Sequence, residues 1–197
     1  MRALLEAAAQ VLEREGLDGA TTDRIAARAG VSVGSLYQYF PGKEAIVLAL
    51  AREHARETGR ALAPVLAGWE RAAARPGGAR VDEVLGPLVS GVAAAHRTRP
   101  GLHRVLFEEA PRTPALRRAL ARGRAALADA LARALSACGD AAPRDPGLAA
   151  AVAIEVTDAL VHRLLVRPPP GRDAAACEAE IRLLLRRYLA PAAGRGG

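Results

Sequence analysis

The sequence predicts an all-α protein of about nine helices, a three-helix N-terminal head carrying a helix-turn-helix followed by a larger helical body. Three observations predict it. Apolar residues recur at helical rather than strand spacing along most of the 197 residues. Aromatics make up only 3 % while alanine and leucine abound, so the interior has the composition of packed helices rather than of sheets. Proline and glycine fall mainly between the periodic segments, where they end one helix before the next begins.

Residues 3–15 place Leu4, Leu5, Ala8, Val11 and Leu12 on one face, and Gly16 is expected to close this first helix. Thr21 is suited to cap a second helix to about Ala29, with Asp23 near its positive end and Gly30 as the stop. Ser32 caps a third, about 33–39, which Pro41 and Gly42 terminate. Further helices are expected near 43–73 (strained at Pro64), 82–97 (bent at Pro87), 101–109, 114–138, 147–166 and 174–189. Thr113-Pro114 and Asp145-Pro146 each set a capping side chain before a proline at the first helical position, so these two starts are the best defined. No repeat of fixed period occurs, and no low-complexity tail beyond Gly194-Arg195-Gly196-Gly197.

Composition narrows the class. The net charge of +7 suggests an acidic partner, but Lys43 is the only lysine among 28 basic residues and Ala, Gly and Pro abound, the composition of GC-rich coding. Residues 1–45 carry five basic groups against six acidic ones, so the surplus lies elsewhere. Cys138 and Cys177 are far apart without metal-ligand spacing, which points to a reduced, cytoplasmic setting. No apolar run approaches the ~18–20 residues of a membrane helix, so no membrane partner is expected. No nucleophile elbow, phosphate loop or clustered histidines occur, and neither catalysis nor a cofactor is expected. His96 and His103, seven residues apart across Pro100, read either as satisfied histidines or as a metal pair; the first is preferred and no metal site is expected.

The informative stretch is Thr21 to Lys43: two short helices joined by Ala29-Gly30-Val31-Ser32, with Ile25, Ala26, Val31 and Leu36 as the apolar positions that hold them crossed. Spacing alone is also compatible with any tight helical hairpin. Three of the six aromatics, Tyr37, Tyr39 and Phe40, sit within four residues. Phe40 reads as core, whereas phenols at an exposed helix end most usefully donate to phosphate or stack on sugar and base.

The run Thr21-Thr22-Asp23-Arg24-Ile25-Ala26-Ala27-Arg28-Ala29-Gly30-Val31-Ser32-Val33-Gly34-Ser35-Leu36-Tyr37-Gln38-Tyr39-Phe40-Pro41-Gly42-Lys43-Glu44 resembles the DNA-binding signature of the tetracycline-repressor-like (TetR/AcrR) family. The resemblance covers roughly residues 1–50. It implies a transcriptional regulator, a repressor more often than an activator, that binds a palindromic double-stranded operator as a homodimer and is released by a small-molecule effector. Residues 1–45 then form the DNA-binding domain and 46–197 a ligand-sensing and dimerisation domain. The resemblance assigns Thr21, Tyr37, Tyr39 and Lys43 to backbone phosphate. Val33, Gly34, Ser35 and Gln38 then face base edges, beside the cap Ser32; Gln38 suits a bidentate contact to adenine and Val33 a thymine methyl. Lys43 opens a helix, where the dipole disfavours a cation, so it reads either as a phosphate ligand or as a solvated charge beside Glu44. Family members carry a basic arm before the first helix, whereas this chain starts at Met1-Arg2-Ala3-Leu4, implying weaker phosphate contact or a start codon further upstream.

For the effector, the resemblance points to about 82–166. Helix 147–166 is apolar nearly all round, so Glu155, Asp158 and His162 risk burial; they line either one polar stripe facing a ligand or an ion pair with Arg163 or another arginine. Trp69, Leu106, Phe107 and His103 are weaker pocket candidates. The apolar faces of the last two helices suit subunit packing, and the resemblance places the dimer there, with Val152, Val156, Leu160, Ile181, Leu184, Leu185 and Tyr188 as its residues. A helical protein-interaction module without sequence-specific DNA binding, or a small helical enzyme, are the competing readings.

Overall fold

The computed structural model describes residues 1–141, 143–165 and 169–189, which form nine α-helices and one π-helical turn without a strand among them. The helices are α1 (Arg2–Gly19), α2 (Thr22–Ala29), α3 (Val33–Tyr39), α4 (Lys43–Ala73), α5 (Val81–Thr98), α6 (Pro100–Arg104), α7 (Pro114–Ser136), α8 (Pro146–Leu165) and α9 (Ala174–Leu189), with the π turn at Val105–Glu109 between α6 and α7. The all-α class and the helix count stand. Residue 166, the expected end of α8, and the tail 194–197 lie outside the described residues.

Local chemistry explains most boundaries. Oγ1 of Thr21 accepts from the Arg24 N–H at 3.3 Å and Oγ of Ser32 from the Ser35 N–H at 3.1 Å, each satisfying a donor that a helix start leaves open. Thr113 and Asp145 do the same for Leu116 and Leu148, with Pro114 and Pro146 at the first helical positions. Gly30 ends α2 in the left-handed region, φ +70°.

Three expectations are corrected. Gly16 does not stop α1: it takes φ +71° and ψ −177°, kinking the helix, which resumes for a last turn to Gly19. The expected helix over 101–109 is a short α-helix followed by the π turn, whose last bond runs from the Ala110 N–H to Val105 O at 2.8 Å. α7 ends at Ser136 rather than 138, and Cys138 instead bridges to Ala79. α4 and α5 run through Pro64 and Pro87.

Packing divides the chain into two compact units: the first is Met1–Glu57 with Thr98–Arg122, the second Thr58–Arg97 with Gly123–Gly197. In the first, Leu12, Ile25, Leu36 and Phe40 of the head share a core with Ile46 and Leu50 of α4, with Leu102 and Leu106, and with Leu116 of α7. In the second, Trp69, Leu85, Leu88, Leu131, Ile154 and Leu185 form the centre of another core. Each fully buried side chain of this size contributes roughly 1.5–3 kcal/mol.

Candidate nucleic-acid interface and sensor residues

α3 has two faces because its apolar residues are four apart. Leu36 is fully buried and Phe40, its C-cap, is 6 % exposed, so this side is fixed against α1, α2 and α4. The opposite side carries Gly34, Tyr37, Gln38 and Tyr39, all exposed, flanked by half-buried Val33 and Ser35. Tyr37 and Tyr39 stand 49 % and 56 % exposed in a chain that has few aromatics to spare, so no core demand accounts for them. Hydroxyls cluster at the helix start: Ser32 Oγ lies 2.8 Å from Ser35 Oγ, and Thr22 Oγ1 lies 3.3 Å from the Tyr37 hydroxyl. Thr21 and Ser32 are exposed while also acting as caps.

Gly34 needs no missing Cβ for the fold, since an added methyl would meet only Ser32 Oγ at 3.9 Å. Lys43 is held: its Nζ donates to Leu17 O at 2.8 Å, which uses one of three N–H groups and ties the start of α4 to the end of α1. Leu17 is gripped from its other side too. Its N–H donates to Glu109 Oε2 at 2.7 Å, and that carboxylate, paired with Arg104, also sits where a side chain on Gly16 would have to go. Nothing in the local spacing of Glu109 marks it out, because its partner lies 92 residues earlier.

Of the expected sensor residues, His103 and Phe107 come together in the first unit. Their rings stack at 4.1 Å with 15° between planes, and His54 of α4 meets both edge-on at 5.6 and 5.8 Å. Leu106 is fully buried core. In the second unit Asp158 and Glu155 of α8 share Arg124 of α7, with Asp158 as its close partner and Glu155 at 3.4 Å. The ion-pair alternative is therefore realised by Arg124 and not by Arg163. Asp158 Oδ1 also lies 3.3 Å from Nε2 of buried His96, whose ring is 6.2 Å from that of His162. Arg124 escaped sequence reasoning because it is 34 residues from Asp158 in the chain. Trp69 is core: it is 2 % exposed and its Nε1 donates to Val84 O at 3.1 Å, only its edge lining an open recess of about 380 Å³ beside Pro64 and Pro87.

The expected interface residues also divide. Ile181 and Leu185 are each 1 % exposed within the chain's own core, and a covered side chain has no area left to give a partner subunit. That expectation is corrected for both. Leu184 and Tyr188 are about half exposed, with Leu183 beside them, and Val152, Val156 and Leu160 are half-buried along one i,i+4 ridge of α8 that begins at exposed Leu148.

A tightly cored helix pair whose second helix offers hydroxyls, an amide and phenols to solvent, joined to a separate helical core, defines a helix-turn-helix DNA-binding regulator. Residues 4–50 match the model of bacterial regulatory proteins of the tetR family, and residues 81–189 match that of the tetracyclin repressor-like C-terminal domain. The chain belongs to the tetracycline repressor family of transcriptional regulators. No curated protein matches it in sequence. Among solved structures it is similar to a transcriptional regulator from Rhodococcus sp. Rha1, with TM-score 0.70 and 19 % identity over 95 % of this chain and 94 % of that one. It is similar to the fatty acid degradation regulator FadR from Bacillus halodurans at TM-score 0.69 and 22 % identity, covering 94 % and 93 %. FadR from Bacillus subtilis, in complex with stearoyl-CoA, gives 0.66 and 21 %, covering 93 % and 96 %. At such identities the likeness is one of fold. No helix among the described residues is long and apolar enough to cross a membrane.

Proposed function

We propose that the protein is an effector-released repressor without catalytic activity, which acts in the cytoplasm as a homodimer on a two-fold symmetric DNA operator. The solvent-facing side of α3 carries this reading. Gln38 and Ser35 read base edges beside Gly34 and Val33, while Thr21, Tyr37, Tyr39 and Lys43 position the backbone and Ser32 holds the helix start. Residues 1–45 are the reading head and 46–197 the sensing and dimerising body. Within that body, 98–122 packs with the head, so a displacement of α6 and the π turn reaches α1 through Glu109 and Leu17. The effector is a small, mostly apolar molecule bound within 82–166, with His103, Phe107, Glu155, Asp158 and His162 as its candidate contacts. A long-chain acyl-CoA is the first compound to try, since the Bacillus subtilis relative holds stearoyl-CoA.

The test is footprinting on genomic fragments selected by the purified protein. The expected result is a symmetric protected region whose half-site centres lie about one helical turn, ~34–36 Å, or a multiple of it apart. Asymmetric protection, or no selected fragment, overturns the reading. The same fragments then serve for an effector screen, in which a compound must raise thermal stability and lower operator affinity together.

A further inference from the structure

Residues 1–45 hold only five basic groups, and three of them converge on one groove of the surface. Arg14 of α1 and Arg24 and Arg28 of α2 line an open groove of about 280 Å³ between the two helices, together with Gln10, Glu15 and Ala27. Helical spacing brings them there. Gln10 and Arg14 are four apart on α1, Arg24 and Arg28 are four apart on α2, and positions so spaced share a face. Leu12, Ile25 and Ala26 turn the other way, into the common core, and fix both helices behind the groove.

Charge in this groove is unbalanced. Glu15 is the one carboxylate of its lining, and it pairs with Arg24. Arg14 and Arg28 are exposed and pair with no carboxylate among the described residues, so three guanidinium groups face a single negative charge. Like charges gathered in a concave surface raise its potential and draw an anion. Arg24 is already oriented for one: its Nη1 donates to Glu15 and, at 3.3 Å, to Gly19 O, which leaves Nε and Nη2 for an incoming oxygen. The place of the groove in the head selects the anion. Thr21, the expected phosphate contact, caps the same helix, and its Oγ1 accepts the Arg24 N–H at 3.3 Å. Thr21, Arg24 and Arg28 thus follow one another along α2 about a turn apart. From Arg24 to Arg28 the helix rises about 6 Å. Successive phosphates of one DNA strand advance ~3.4 Å along the axis, so that rise spans about two phosphate steps.

We propose that the groove between α1 and α2 binds backbone phosphates of duplex DNA beyond those met by α3, with Arg14 and Arg28 as the contacts and Arg24 held between them by Glu15. The planar guanidinium fork matches two phosphate oxygens at once, which a point charge does not. Contacts of this kind add affinity and fix orientation without reading sequence. The proposal rests on the operator reading above for its choice of DNA as the anion.

The experiment measures affinity of the full-length protein for a random-sequence duplex and for the selected fragments, by fluorescence anisotropy across a salt series. Arg14→Gln and Arg28→Gln are each expected to lower the slope of log affinity against log salt by about 0.9 for every subunit on the duplex, on both DNAs, with base preference unchanged. Glu15→Gln removes the opposing charge and is expected to shift affinity the other way, toward tighter binding. Arg133→Gln, an exposed arginine of α7 outside the groove, makes the same change in net charge and is the control. Circular dichroism and thermal midpoints show that the variants are folded. An unchanged slope in the folded arginine variants, or a fall that Arg133→Gln matches, overturns the groove contact while operator selection stands. A protein that selects no fragment yet keeps the groove-dependent slope on random duplex loses the repressor reading and retains the groove. No binding to either DNA overturns both.

Discussion

Single positions of α3, Gln38 and Gly34, bear separately on the fold and on the proposed operator contact. Gln38 is exposed, so Gln38→Ala leaves stability within about 0.5 kcal/mol and is expected to weaken operator binding by ~1–3 kcal/mol, relaxing preference at one position of each half-site. Binding to a panel of single-base operator variants measures it, and unchanged preference means another face of α3 meets the DNA. Gly34→Ala separates fold from function more sharply. Alanine at this first-turn position meets no obstacle in the chain and restricts the unfolded backbone more than glycine, so the variant is expected to melt no lower, or slightly higher, yet bind operator more weakly. A variant that melts no lower and binds as well as the wild type shows that DNA does not approach at Gly34. Lys43 has two tasks, because its ammonium already holds Leu17 O. If it also neutralises a phosphate, Lys43→Met lowers the slope of log affinity against log salt by about one per subunit; an unchanged slope confines Lys43 to the α1 contact. Cys138 is chemically quiet: burial, then the nearby Asp140 and Glu83 carboxylates, push its thiol from 9.0 up to about 11. Because the folded state holds that proton longer than the unfolded one, its contribution to stability is intact below pH 9 and falls as the pH rises from about 9 toward 11. Comparing unfolding of the wild type and Cys138→Ala from pH 8 to 11 checks the sign: only the wild type carries this loss.

At the scale of elements, α9 has one side committed to its own chain and one that is not. Leu185 is 1 % exposed and Leu184 is 50 % exposed, although they are neighbours, because successive helical residues point about 100° apart. Leu185→Arg places an unpaired charge in the protomer core and is expected to unfold it, whereas Leu184→Arg leaves each protomer folded and drives sedimentation toward a monomer. A folded Leu184→Arg protein that remains a dimer moves the interface elsewhere. Ordering of α1 against the π turn has a comparable single point. The Glu109 carboxylate accepts the Leu17 N–H at the Gly16 kink, so loss of that carboxylate leaves the backbone there without its partner.

On the scale of the whole molecule, the division into two cores matters more than the division of the sequence. Residues 98–122 belong in packing to the head, although they follow it in the chain by half a hundred residues. Any effector that moves α6 therefore acts on a core that includes Leu36 and Phe40, the anchors of α3. The expected coupling is ~1–3 kcal/mol, the difference in effector affinity between the two states of the head. By reciprocity, saturating operator DNA weakens effector binding by the same factor of roughly 5–150. Equal effector affinity with and without operator refutes such coupling.

The sequence by itself determined what is local. Caps at Thr21, Ser32, Thr113 and Asp145, stops at Gly30 and Pro41, and the Leu36–Phe40 spacing act within a few residues, so α2, α3 and the starts of α7 and α8 were legible, and with them the solvent-facing side of α3. Tertiary structure alone decided the rest. That Arg124 and not Arg163 answers Asp158, that Glu109 holds Leu17, that Trp69 and Leu185 are core, and that His96 faces Asp158 are contacts between positions 15 to 92 residues apart, or the outcome of which helix covers which face. Helical periodicity says which residues share a side; it carries no information on the partner packed against that side, because that choice follows from the summed burial of the whole chain.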